Sequence, residues 1–193
     1  MSSLSDLARF REPAAPAKPR MVKEAYRFVG TVLVLDQTIA KTGWVYGVSD
    51  DLSFHAKATG LFTTDMLAKG HEDNLRRADV CFRQYCSMLE AFKPDLVVHE
   101  MPPISNAYVR GDSSLMAAVA IRAARSAICP ETPIRMVSAQ HAKKVLCGDA
   151  KASKADVKTA VLRRAHGLAH LKPLNQDVTD AAALALVAIE EAP

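Results

Sequence analysis

The chain has 193 residues, 49% of them hydrophobic, and a formal net charge of +4. That length suits one globular domain and leaves little room for two. No apolar run reaches the roughly 18 residues that a transmembrane helix needs, so no membrane partner is expected, and the N-terminal MSSLSDLARFREPAAPAKPR lacks the apolar core of a secretory signal.

Residues 1–26 are rich in Ala, Pro, Arg and Ser and read as a flexible arm ahead of a single domain over 27–193. The expected location is the cytoplasm; the arginines of the arm also suit a transit peptide, so organellar targeting stays open. Cys81, Cys86, Cys129 and Cys147 form no C-x-x-C pair and read as reduced core thiols.

From Thr31 the character changes. TVLVLD is a continuous apolar run ending in an acid, as in a strand buried on both faces. TGWVYGV (42–48) and SFHAKATGLF (53–62) follow after short connections, which predicts an antiparallel meander. Over 71–92, Leu75, Ala78, Phe82, Tyr85, Leu89 and Phe92 recur at helical spacing. Lys93-Pro94 ends that helix. PDLVVHE (94–100) is a fourth strand, again closing on an acid. Residues 113–128 read as an Ala-rich helix packed on the sheet, or on a second subunit. IRMVS (134–138) is a fifth strand, with Ser138 as N-cap of a short helix. Lys151 to Arg164 and Asp177 to Glu190 are two further helices. The order predicts an α/β fold: a five-stranded mixed sheet, antiparallel meander then parallel strands, with helices on both faces.

Charge is unevenly placed. From His141 to Lys172 there are eight Lys/Arg against two acids. Such a segment suits a polyanionic partner, although a charge run is more often a solvated helix face.

Four acids stand out. Asp36 ends the first strand and Glu100 the fourth; Asp177 and Asp180 lie three apart and share one face of the last helix. Each has a plain structural reading: a turn cap for Asp36, a Lys partner for Glu100, an N-cap and a first-turn charge for the helix pair. Together, in apolar surroundings at the ends of neighbouring elements, they would repel one another unless a dication were bound. Hard oxygen ligands suit Mg²⁺, with Mn²⁺ as substitute. Two such ions roughly 3.5–4 Å apart can hold the attacking water and the leaving oxygen of a phosphodiester.

The motifs resemble those of RuvC-type Holliday junction resolvases. LDQTIAKTGWVYGV (35–48) resembles the family's first-strand motif, and HEMPP (99–103) its second. SAQHAKKVLCGDAKASKADV (138–157) is similar to its basic region, with Lys143 and Lys154 matching two lysines, and NQDVTDAAALALVAI (175–189) to its last motif, D-x-x-D-A-x-A-L-A. The resemblance runs from Thr31 to Ile189. It implies an RNase H-like fold, a homodimer, and paired Mg²⁺-dependent nicks across a four-way DNA junction that leave 5′-phosphates. On it, Asp36, Glu100, Asp177 and Asp180 are catalytic metal ligands for two ions, and Lys143 and Lys154 offset charge at the scissile phosphate. Lys143, Lys144, Lys151, Lys154, Lys158, Tyr108 and Arg110 are expected to contact DNA. The sequence departs from the family at Asp36-Gln37-Thr38, where members usually have Asp-Pro-Gly. It departs again at Pro103, where many have an aromatic, the nearest here being Tyr108. A divergent or bacteriophage member is the expectation.

Other readings stay in view. The same fold serves nucleases of flaps, forks or RNA strands, and a degenerate scaffold can bind junctions without cutting. The Asp36…Thr42-Gly43 spacing also resembles the phosphate loop of actin-like ATPases, which need two such domains. His166 and His170, four apart on a predicted helix, lack a third metal ligand. His99 should point away from Glu100 across the strand, and Trp44 reads as core.

Overall fold

The computed structural model describes residues 27–102 and 111–190. The first three strands, β1 (Gly30–Gln37), β2 (Lys41–Ser49) and β3 (Phe54–Thr63), form the expected antiparallel meander. Helix α1 (His71–Phe92) leads to β4 (Leu96–Glu100), α2 (Gly111–Ile128) to β5 (Ile134–Val137). Helices α3 (Ala139–Cys147) and α4 (Lys154–Arg164) follow, then a two-residue strand β6 (Ala165–His166) and a 3₁₀ turn at Leu168–His170; α5 (Gln176–Glu190) completes the described fold. The sheet order is β5-β4-β1-β2-β3-β6. β4 runs parallel to both β1 and β5, and β6 parallel to β3. The sixth strand is an addition to the five expected. It is too short for an alternating pattern and pairs only at Phe54↔Ala165 and His55↔His166.

The sheet separates two cores because strand side chains alternate between faces. Leu33, Leu35 and Val97 pack with Cys81, Tyr85, Leu89, Ala117 and Ile121 of α1 and α2. Val32, Val34, Leu96 and Val98 pack on the other face against α5, whose residues Val178, Thr179 and Ala181 to Ile189 are all buried. A helix apolar all round belongs at the centre of a fold, and α5 lies across β1, β2 and β4. The same alternation puts Asp36 and Glu100 on the α5 face and His99 on the opposite one, as the sequence predicted.

Several boundaries differ from those read in the sequence. Helix α4 starts at Lys154, not Lys151, because Ser153 and Asp156 form a reciprocal capping box. Ser138 caps α3 as expected, accepting from the His141 amide. In α5 the Asn175 side chain accepts from the Val178 amide at 3.0 Å, so Asp177 is released from the capping role considered for it. His166 and His170 lie on β6 and the 3₁₀ turn, not on one helix, which removes the geometry of an i, i+4 metal pair; His166 instead stacks on His55. Trp44 is half-buried against the α1 side of the sheet and stands over Gly60, where a Cβ would lie 2.3 Å from its ring. All four cysteines are free thiols, Cys81 buried and the others half-buried. Among the described residues no helix is long and apolar enough to cross a membrane. The expected arm, Pro103, and the expected DNA contacts Tyr108 and Arg110 lie outside the described residues.

Candidate active site

Four carboxylates distant in sequence meet because three elements meet. In the sheet, Asp36 is paired with Gly43 of β2, and its neighbour Leu35 with His99 of β4. Asp36 and Glu100 therefore stand side by side at the carboxyl ends of adjacent parallel strands, where crevices form in α/β folds. The first turns of α5 bring Asp177 and Asp180 over them. Close approach there depends on Gly43: a Cβ on it would lie 2.5 Å from the backbone carbon of Asp177. All four acids line one cleft of about 360 Å³, closed on the far side by Ala139, Ala142 and Lys143 of α3 and Lys154 and Val157 of α4.

The electrostatics record the crowding. Burial, then the negative charges of Glu100 and Asp180, push the Asp36 carboxyl up to about 8. Glu100 is raised too, first by burial and further by the charge of Asp180, with its contact to Asp36 pulling the other way. Asp180 is raised as well, first by burial; its bond from Gln176 and the charges of Lys154 and Lys143 pull the other way. Gln176 Nε2 donates to Asp180 Oδ1 at 2.7 Å. Asp177 Oδ2 is buried without an aligned hydrogen bond, although the Lys41 ammonium makes an ion pair with it.

This donor set fits a hard divalent cation. Three of the four carboxyls are raised by burial and by one another's charge, the crowding that a bound dication would relieve. As the side chains stand, no three acidic, His or Cys groups among the described residues form a ready ligand cage. The reason is visible: Asp36 is spent on Glu100, Asp177 on Lys41 and Asp180 on Gln176. Such contacts are exchangeable for metal–oxygen bonds.

The structure brings Lys143 and Lys154 into the cleft. Lys144, Lys151 and Lys158 are exposed and lie outside its lining. Lys41 and Gln37 were missed from sequence. Lys41 opens β2, five residues after Asp36, and reaches the site through its ion pair with Asp177. Gln37 was noticed only as a departure from proline.

No protein-family model matches the sequence, and no curated protein sequence matches it. Solved structures do. Thermus thermophilus RuvC superposes with a TM-score of 0.64 at 19% identity, covering 81% of this chain and 91% of that one. T. thermophilus RuvC in complex with Holliday junction substrate gives 0.68 at 20%, covering 83% and 93%. The yeast mitochondrial Holliday junction resolvase Ydc2 gives 0.59 at 13%, covering 85% and 81%. The chain has an RNase H-like fold. Within that class, its fold is that of the RuvC-type resolvases.

Proposed function

We propose that the protein is a structure-selective endonuclease that resolves four-way DNA junctions by metal-dependent phosphodiester hydrolysis. The observation that carries this reading is the convergence of Asp36, Glu100, Asp177 and Asp180 with Lys143 and Lys154 in one cleft, on a fold shared with junction resolvases.

Asp36, Glu100, Asp177 and Asp180 would hold Mg²⁺, two ions per site, with Mn²⁺ as substitute. Bound there, the metal supplies positive charge for the scissile phosphate and lowers the pKa of a water. Water adds to phosphorus as the bond to the 3′ oxygen breaks, leaving a 3′-hydroxyl and a 5′-phosphate. Lys143 and Lys154 face the same space and offset the negative charge that develops on the phosphate oxygens. The apolar walls of Ala142, Val157, Ala183 and Leu184 limit water around these charges and strengthen each interaction. Lys144, Lys151 and Lys158, exposed on α3, on α4 and between them, extend the positive surface along a DNA arm and read backbone geometry rather than bases.

Resolution needs two nicks, and a homodimer supplies two clefts. The subunit contact would lie on α1 and α2, where Leu75, Leu115 and Val119 are each more than half exposed and border a depression floored by Ala78, Phe82 and Ala120. An apolar patch of this kind suits a subunit contact. The inner face of α2 packs on the sheet, the contact favoured from the sequence, and leaves the outer face for the proposed subunit contact. The cytoplasm is the proposed compartment.

The test is cleavage of an end-labelled immobile junction with and without Mg²⁺, beside flap, fork and linear duplex substrates. Paired symmetric nicks on the junction alone are expected. Asp36→Asn should bind the junction and cut at least about a hundredfold more slowly. Full cleavage by that variant overturns the assignment. Equal cutting of flaps and duplex reduces it to a general nuclease of this fold.

A further inference from the structure

Two polar side chains are buried on the face of the sheet opposite the cleft, where the surrounding core is apolar. Gln37 is 1% exposed and His99 0%. Both are spent on the backbone of a single residue, Glu100. Gln37 Nε2 donates to the Glu100 carbonyl at 2.8 Å, and its Oε1 accepts from the Glu100 amide at 3.0 Å. His99 Nδ1 lies 2.8 Å from the same carbonyl and must donate to it. His99 is then protonated at Nδ1, which leaves Nε2 a lone-pair acceptor, and Nε2 is buried with no hydrogen-bond partner.

The backbone explains why Glu100 needs such support. Pairing of β1 with β4 ends at Leu35↔His99. One residue further on, β1 still runs to Gln37, but its backbone no longer pairs with β4, and the backbone of Glu100 bonds the Gln37 side chain instead. The Gln37 side-chain amide replaces the missing peptide with the same donor and acceptor. An apolar residue at either position would fill the core without desolvating an amide or orphaning an imidazole nitrogen. Local rules broken without packing gain point to a site that needs the arrangement.

We propose that Gln37 and His99 are positioning residues, which fix the Glu100 peptide from behind the sheet and so aim the Glu100 carboxylate for metal binding. This rests on the nuclease reading of the cleft. Gln37 thereby does by hydrogen bonding what a rigid residue after Asp36 would do by restricting the chain. The effect passes through one ligand, which makes it separable from a general loss of stability.

The experiment measures Mn²⁺ affinity by titration, well below the melting temperature, on wild type, Gln37→Met, His99→Leu, Glu100→Gln and Gln37→Met/Glu100→Gln. Met and Leu keep the apolar volume and remove the hydrogen bonds. The expected result is a loss of about 10- to 100-fold in affinity for Gln37→Met, the usual consequence of disturbing the groups that orient a metal ligand. A loss in the same direction is expected for His99→Leu. Gln37→Met should add almost nothing in the Glu100→Gln background, because its action runs through that carboxylate. Lowered melting temperatures with wild-type affinity in both single variants overturn the proposal, as does full additivity in the double variant. If Gln37→Met fails to fold, His99→Leu decides between the same outcomes. Rapid exchange of the Glu100 amide proton in wild type also counts against it. Absence of Mn²⁺ binding to wild type is a different failure, since it removes the nuclease reading itself.

Discussion

The carboxyls of Asp36 and Glu100 press on each other at the ends of β1 and β4, and burial together with the Glu100 charge holds Asp36 well above the usual carboxylate range. The sign of the pH effect follows. Asp36 is raised from 3.8 to about 8. Its contribution to stability is fully present below the unfolded value and is lost as pH rises through the folded one. Metal-free wild type should therefore lose melting temperature between about pH 4 and pH 8 relative to Asp36→Asn, which carries no charge there. The difference between the two proteins isolates this group from Asp50, Asp73, Asp95 and Asp156, whose lowered values act in the opposite direction at acid pH. Added Mg²⁺ should remove the loss, and should bind more tightly as pH rises. Thermal denaturation at several pH values, with EDTA or Mg²⁺, reads both effects.

Lys41 holds Asp177 in the absence of metal. A cation entering the cleft must compete with that ammonium. Lys41→Met should bind Mg²⁺ severalfold more tightly than wild type while being less stable in EDTA. Both are measurable by calorimetric titration and thermal melting. Unchanged affinity would mean that the ion pair breaks without cost, as exposed pairs often do.

Gly43→Ala tests the packing that seats α5. The added methyl meets the Asp177 backbone at 2.5 Å, so strand and helix must part. Overpacking of this kind costs about 1–3 kcal/mol. The variant should melt lower and also lose metal affinity, since the strain falls on Asp177, one of the proposed ligands. Thermal melting and Mn²⁺ titration of the same preparation check both.

Lys144, Lys151 and Lys158 lie outside the cleft. Replacing all three with Gln should leave metal binding intact and weaken junction binding across sequences alike. Removing one lysine–phosphate interaction should flatten the slope of log affinity against log salt by about 0.9. Binding titrations at three or more salt concentrations give the slope, and an unchanged one removes these lysines from the DNA-binding face.

Much of this was legible in the sequence because strands and helices leave periodic traces. The runs VLVL and LVV marked strands covered on both faces, and the acids after them marked strand ends. The i, i+3 spacing of Asp177 and Asp180 fixed their common face. Lys143 and Lys154 were found through family likeness, and the cleft contains both. What escaped was three-dimensional adjacency without periodicity. Gln37 looked like a substitution for proline, because nothing local says that its amide faces the Glu100 peptide. Lys41 carries no sequence signal of its ion pair with Asp177, which lies far along the chain. The start of α4 was misplaced by three residues because Ser153 and Asp156 cap it, a pattern that competes with the helical propensity of Lys151 and Ala152. Strand β6 was invisible, since two residues carry no alternation.

The four carboxylates of the cleft are made at different times along the chain. Two of the four carboxylates ride on α5, which comes after every strand it covers. A ribosome-bound chain that has emerged only as far as α4 carries half a site. In the nuclease proposed above, the full carboxylate set would therefore assemble only when α5 is buried on the strands made before it.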